Sequence, residues 1–228
     1  MEKKDLLKDV IKHIDIKSYN STELIDAMRN MSFTSRDTAR AADILMMMCK
    51  EKECTNILTL AGSTSAAGCM QVYVDMVRNK MIDVVVATGA SIIDMDLFEA
   101  LGFKHYIGEK ENVIADTTLR DLYIDRIYDT YIDEEELQAC DHTTFEIANM
   151  LETRPYSSRE FIYEIGKWLH DGHAVKKDSL IQTCYECGVP IFVPAFSDSS
   201  AGFGIGKHQW ERMQKGEKYL SIDSVKDF

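Results

Sequence analysis

At 228 residues, with 45% hydrophobic and 28% charged residues and only three prolines, the chain can bury a full core and is neither disordered nor low-complexity. Its formal net charge of -12 argues against sequence-independent nucleic-acid binding, which needs a cationic surface to displace counterions. No stretch approaches the roughly eighteen uninterrupted apolar residues of a membrane span. The six cysteines lack a disulfide-framework spacing and follow no apolar leader, so a cytoplasmic location is expected.

From Lys3 to His13 the positions Leu6, Leu7, Val10 and Ile11 predict an amphipathic helix, and Asn20 with Glu23 predicts another opened by a capping box. Thr34 and Asp37 form a second candidate box, ahead of a helix through Ala39, Ala42, Ile44, Leu45 and Met48 to Cys49. Arg40 on that helix is expected to face solvent. These helices are expected to cover an edge of a sheet.

The centre of the chain is Asn56 to Asp96. Asn56 to Leu60 and Ile82 to Ala87 are continuous apolar runs, the pattern of parallel strands buried on both faces. Each ends in a turn of small residues, Ala61 to Gly68 and Thr88 to Ser91, with a helix between them. Gly62, Ser63, Ala66, Ala67 and Gly68 leave the backbone open, and the free N–H groups at a helix start favour an anion such as a diphosphate. The spacing matches neither the dinucleotide fingerprint nor the phosphate loop. Close packing of the helix on the sheet would select the same small residues.

Asp96 to Leu101 reads as a short helix and Lys104 to Gly108 as an extended segment, with His105 more readily structural than an acid–base group. Glu109 to Asp129 is polar and poorly periodic, a connecting loop with a short helix near Thr117 to Tyr123. Within Tyr131 to Glu152 the acidic run Asp133 to Glu136 falls in the first turn of a helix, where it opposes the positive helix end. Ser157 or Ser158 caps the next helix, which stops at Gly172 between His170 and His173. Asp178 or Ser179 opens another, ended by Gly188 after Cys184 and Cys187, a C-x-x-C pair with no second pair for zinc.

Val189 to Ala195 is a third buried strand, followed by the small, polar stretch Phe196 to Gly202. Ligands of open α/β sheets bind at carboxyl ends of strands, so three turns point to one crevice. Lys218 to Ile222 begins a further strand and Val225 to Phe228 a helix.

GSTSAAG (Gly62 to Gly68), IDVVVATGAS (Ile82 to Ser91), HYIG (His105 to Gly108), RPYSSREF (Arg154 to Phe161) and VPIFVPAFSDSSAGFG (Val189 to Gly204), in this order and spacing, resemble the deoxyhypusine synthase family, closest to its prokaryotic deoxyhypusine synthase-like branch. The resemblance runs from about Phe33 to the end. It implies one Rossmann-like α/β domain over 1–228, a parallel sheet flanked by helices and incomplete at its C-terminal edge, with 1–32 as a helical cover.

It also implies a homo-oligomer that uses NAD to oxidise spermidine or a related polyamine and passes an aminobutyl group through an enzyme lysine to a lysine of the hypusine-bearing translation factor. By position it assigns NAD to Gly62, Ser63, Thr64, Ser65 and Ala66, to Thr88, Gly89 and Ala90, and to Asp198. Where the family carries a glutamate pair after the second turn this chain has Asp94 and Asp96, which become candidates for the amine. A further family aspartate falls on Phe203. The imine-forming lysine segment lies beyond Phe228 in the family, so the resemblance leaves open a truncated or split enzyme completed by a partner chain, a non-catalytic NAD-binding or regulatory subunit paired with a complete paralogue, or a homospermidine synthase-like polyamine enzyme.

Overall fold

All three central apolar runs become strands of one parallel sheet in the computed structural model, which describes residues 2–109 and 113–228. In chain order the elements are α1 (Lys3–Leu6), α2 (Thr22–Met28), α3 (Phe33–Lys50), β1 (Ile57–Leu60), α4 (Met70–Arg78), β2 (Val84–Ala87), α5 (Phe98–Ala100) and β3 (His105–Ile107). There follow α6 (Asp116–Asp121), β4 (Ile124–Ile127), β5 (Thr130–Asp133), α7 (Glu134–Met150), β6 (Pro155–Tyr156), α8 (Ser158–Trp168), α9 (Leu180–Cys187), β7 (Ile191–Phe192), α10 (Ser200–Gln214) and β8 (Ser221–Ile222). Wide helical turns at Ser65–Cys69, Ala90–Leu97 and Leu169–His173 run into or out of α4, α5 and α8.

The sheet has the order β1-β2-β7, with Ile57 beside Val84, Leu60 beside Ala87 and Val85 beside Ile191. Both neighbours of β2 run parallel to it, so all three carboxyl ends share one edge. Val85, Ile191 and Val193 are buried in a core with Val74, Phe161, Ile165 and Ile181 from α4, α8 and α9. At about 1.5–3 kcal/mol for each large apolar side chain removed from water, this layer is the main source of stability.

Caps fall where sequence chemistry puts them, with some changes of residue. Asp133 accepts from the N–H groups of Glu135 (2.9 Å) and Glu136, Ser157 and Glu160 form a full capping box, and Ser179 caps α9, which Gly188 ends at φ +71°. The box expected at Thr34 and Asp37 does not form: α3 already begins at Phe33, so Thr34 lies inside it. At Asn20 the side chain accepts from Thr22 N–H (3.0 Å), and Glu23 takes no part.

Two expectations are corrected. The polar stretch 109–129 is not only a loop with a helix: it also contains β4, which forms with β5 and β3 an antiparallel sheet in the order β3-β5-β4. The amphipathic helix expected from Lys3 to His13 ends at Leu6. Residues 9–11 are extended instead, because Ile11 N–H donates to His105 O (2.9 Å) and Ile107 N–H to Asp9 O (2.7 Å), so the segment adds to the open side of β3. It is therefore a cover over a sheet edge, made as a strand.

That segment is pinned by Glu99. Met70 N–H donates to His13 Nδ1 (3.2 Å), which places the His13 proton on Nε2, 2.6 Å from Glu99 Oε2. Lys176 and His105 reach the same carboxylate at 2.5 and 2.9 Å. Burial pushes Glu99 up, but the hydrogen bonds from His105 and His13 and the charge of Lys176 outweigh it and hold Glu99 well below the usual carboxylate range. His105 is thus structural. His170 lies against Glu186 and His173 stacks on Trp168 at 4.2 Å, so neither belongs to a site at the sheet edge.

Candidate functional site

The three small-residue turns touch one another at the carboxyl edge of the parallel sheet. Thr88 N–H donates to Leu60 O (3.1 Å) and Ser91 Oγ to Gly62 O (2.9 Å), joining the first turn to the second. Gly89 packs on the third: a Cβ there would lie 2.5 Å from the Cβ of Ser199, a distance real side chains do not show. Ser200 N–H, at the start of α10, donates to Asp94 Oδ1 (2.9 Å) and closes the set.

The first turn has the features of an anion cradle. Gly62 holds φ +68° with nothing within 4 Å of where a Cβ would stand, and among the described residues the N–H groups of 62–66 have no acceptor. Ser65 Oγ is buried without a partner. An orphaned hydroxyl costs free energy unless something satisfies it. Ser63 is half-buried, Thr64 is exposed with its Oγ1 accepting from Tyr73 (2.8 Å), and Ala66 is buried. In the second turn Thr88 is exposed, Gly89 buried and Ala90 half-buried; Asp198 in the third is exposed.

The two acids assigned to an amine separate. Asp96 is buried, and its oxygens accept from Leu180 N–H (2.8 Å) and Ile181 N–H (2.7 Å), the first turn of α9. Its carboxylate holds a helix end inside the packing, so the substrate role expected of Asp96 is withdrawn. Asp94 stays at the crevice, where burial, and after it the charge of Asp198, pushes its carboxyl up to about 6 despite the Ser200 hydrogen bonds.

A third acid joins it that sequence reasoning missed. Asp141 on α7 is half-buried with Oδ1 unpartnered, and burial with the charges of Asp94 and Glu134 pushes it up to about 6. Two adjacent acids that resist ionisation favour a cation between them. Nothing in the sequence marks Asp141, because it follows the Glu134 to Glu136 run and looks like more of the same solvated helix face.

Against known proteins, the profile of the family described as deoxyhypusine synthase matches residues 23–228, starting ahead of Phe33. The chain is 65% identical over 227 residues to a deoxyhypusine synthase-like protein of Caulobacter vibrioides, covering 100% of this chain and 61% of that protein. A deoxyhypusine synthase-like protein of Coxiella burnetii is 58% identical over 226 residues, 99% of this chain and 63% of that one. The chain thus spans about three fifths of the length of the curated relatives it matches. Among solved structures, one described as a deoxyhypusine synthase of Entamoeba histolytica matches with a TM-score of 0.63 at 19% identity, covering 95% of this chain and 72% of that chain, a likeness of fold.

Proposed function

The chain belongs to the deoxyhypusine synthase family, and from that premise we propose that it supplies the NAD-binding crevice of an aminobutyl transfer from spermidine, or a close polyamine, to a protein lysine. The observation that carries the reading is the convergence of three turns, through Ser91 on Gly62, Gly89 on Ser199 and Asp94 on Ser200. The dinucleotide fits what this chain offers: the free N–H groups of 62–66 and the orphaned Ser65 hydroxyl suit its diphosphate, and the exposed carboxylate of Asp198 suits a ribose hydroxyl.

When bound, NAD supplies a hydride acceptor. The chain's own residues do the rest of the binding: Asp94 and Asp141 hold a polyamine ammonium in place of the protons they retain at about 6. Among the described residues no lysine hydrogen-bonds to the three turns. The second reading is a NAD-binding or regulatory subunit that works beside a complete paralogue.

A homo-oligomer and a cytoplasmic setting complete the proposal. α3 buries only Ala39, and α2 and α3 with their connection expose Leu24, Met31, Phe33, Ile44, Met46 and Met47, an apolar surface that another copy would cover. Among the described residues no helix is long and apolar enough to cross a membrane.

Titration calorimetry with NAD tests the nucleotide reading. Binding to the parent chain and its loss in Asp198→Ala are expected; no heat from the folded parent would overturn it. Borohydride trapping of labelled spermidine in the presence of NAD separates the two readings, since a covalent adduct on this chain alone would show that it carries its own imine-forming lysine.

A further inference from the structure

The antiparallel sheet has two edges, and the chain treats them differently. The β3 edge is covered by residues 9–11 of the segment Lys8 to Lys12, paired by main-chain hydrogen bonds. The β4 edge has no such cover among the described residues.

Which groups of β4 are open follows from the hairpin. Its two-residue turn, Tyr128-Asp129, makes Ile127 and Thr130 the closing pair, and Glu134 N–H donates to Tyr123 O (3.1 Å) four pairs further on. Antiparallel ladders alternate hydrogen-bonded with non-hydrogen-bonded pairs, so Tyr123, Asp125 and Ile127 spend their backbone groups on β5. Ile124 and Arg126 turn theirs away from β5, and since Ile124 is buried at 3% exposure, Arg126 carries the accessible pair. No other backbone or side-chain group among the described residues takes them.

A cleft of ≈ 890 Å³ lies along that edge, near the upper end of the roughly 300–1,000 Å³ of ordinary ligand pockets. All of Tyr123 to Tyr128 line it, with α6 on one side and Ser63, Glu134 and Gln138 on the other. Its Ser63 end therefore opens on the first turn of the crevice.

The charges choose the occupant. Arg126 is already held by Asp116 at 2.5 Å and Arg120 by Asp121 at 2.8 Å, so the arginines of the cleft are neutralised from within. Asp125 and Glu134 remain, hydrogen-bonded to each other, and burial with that contact pushes Asp125 up to about 7. Two carboxyl groups sharing a proton are a ready site for an ammonium or guanidinium that replaces it. Tyr123 and Tyr128, both exposed, add aromatic faces at the mouth.

We propose that the β4 edge is a docking site for an extended protein segment bearing a basic side chain: the segment adds beside β4 through the backbone groups of Arg126, with its cation against Asp125 and Glu134. The segment Lys8 to Lys12 on the opposite edge shows that the same sheet accepts a short, lysine-flanked strand of this kind. The mode is β-strand addition, in which main-chain hydrogen bonds give affinity and the side-chain position gives specificity. It does not depend on nucleotide.

The test uses the full chain, without NAD, and a blocked peptide of alternating valine and lysine. Binding should protect the amide of Arg126 from hydrogen exchange. Replacing the lysines by glutamate, or using Asp125→Lys, should weaken binding by about tenfold or more, and a peptide N-methylated at alternate residues should not bind. Arg126→Pro, which removes an outward N–H at a position where edge strands tolerate proline, should also lose binding; the N-methylated peptide makes the same point on the unaltered protein. Equal binding of the N-methylated or the glutamate peptide overturns the proposal. So does equivalent protection by spermidine alone, which would make the cleft an amine site, or protection that rises with chain concentration in the absence of peptide, which would make the occupant a second copy. Absence of peptide binding overturns it as well.

Discussion

The parallel and the antiparallel sheet of this chain leave their unused backbone groups in different places, and each offers a site where those groups are. In β1-β2-β7 the central strand is paired on both sides and packed under helices, and past the carboxyl end of β1 the N–H groups of 62–66 have no acceptor among the described residues. In β3-β5-β4 the open groups lie along a side, at Arg126. A buried sheet binds at its end; an exposed sheet binds at its edge. Ser63, which lines the cleft beside β4 and belongs to the first turn, is where the two sites adjoin.

The largest expected effect is on the end-on site. Gly89→Val drives a side chain into Ser199, where the nearest atoms are a Cβ at 2.5 Å and an Oγ at 2.6 Å. Overpacking of this sort costs about 1–3 kcal/mol, and the second and third turns must part. Denaturant unfolding should show that loss, and NAD binding should vanish with it while peptide binding at β4 persists. A variant as stable as the parent would mean that the turns are not in contact in solution.

Next in size is Asp96→Ala. It strands two N–H groups at the start of α9, and loss of a capping carboxylate costs about 0.5–2 kcal/mol. NAD affinity at 25 °C should be unchanged, in contrast to Asp198→Ala, which should leave stability alone and remove the nucleotide. If Asp96→Ala folds normally and weakens only ligand binding, Asp96 is a site residue after all.

How far all this was legible follows from the same contrast. NILTL and IDVVVA announce strands because strand-forming apolar residues dominate them, and the small residues after them mark the turns. β4 and β5 were hidden. Hairpins of two-residue loops advertise themselves by Asn-Gly or Asp-Gly, and here the turn is Tyr128-Asp129, with Tyr128 forced to φ +55°. The alternation of Ile124, Arg126, Asp125 and Ile127 therefore reads as polar loop. Asp96 was visible as an acid after a turn, but its partners lie 84 and 85 residues downstream, and no local pattern reports a contact of that range. Asp141 was invisible for another reason: it lies one to two turns along the same helix from Glu134 to Glu136 and reads as more of that acidic face.

A smaller effect, in pH, links the two sites. Asp94 and Asp141 titrate at about 6 and Asp125 at about 7 in the folded chain, all above the ordinary 3.8. The folded state thus binds more protons than the unfolded between those values, so the stability these groups contribute is complete below about pH 4 and is lost as pH rises through 6 to 7. Glu134 raises both Asp125 and Asp141. Glu134→Gln should therefore lower the carboxyl midpoint of Asp125 and, less, that of Asp141 in a carbon-detected NMR titration, leaving Asp94 where it was. A shift confined to Asp94 would separate the sites that Ser63 and Glu134 join.

The smallest expected effect runs opposite to the first, and is the sharpest form of the contrast. At Gly89 a side chain has no room; at Tyr128 a side chain is present where the backbone would rather have none. Tyr128 is 75% exposed and holds φ +55° at the first position of a two-residue hairpin turn, a conformation that costs an L-residue about 1–2 kcal/mol and a glycine nothing. Glycine gives back about 0.5–1 kcal/mol of that in chain entropy. Tyr128→Gly should therefore leave stability equal or raise it by up to about 1 kcal/mol, and weaken the lysine peptide at β4 by removing an aromatic face from the cleft. The trade of strain for binding is what a functional turn predicts. If Tyr128→Gly destabilises the chain and leaves peptide affinity intact, the tyrosine packs structurally and the strained turn has no part in the cleft.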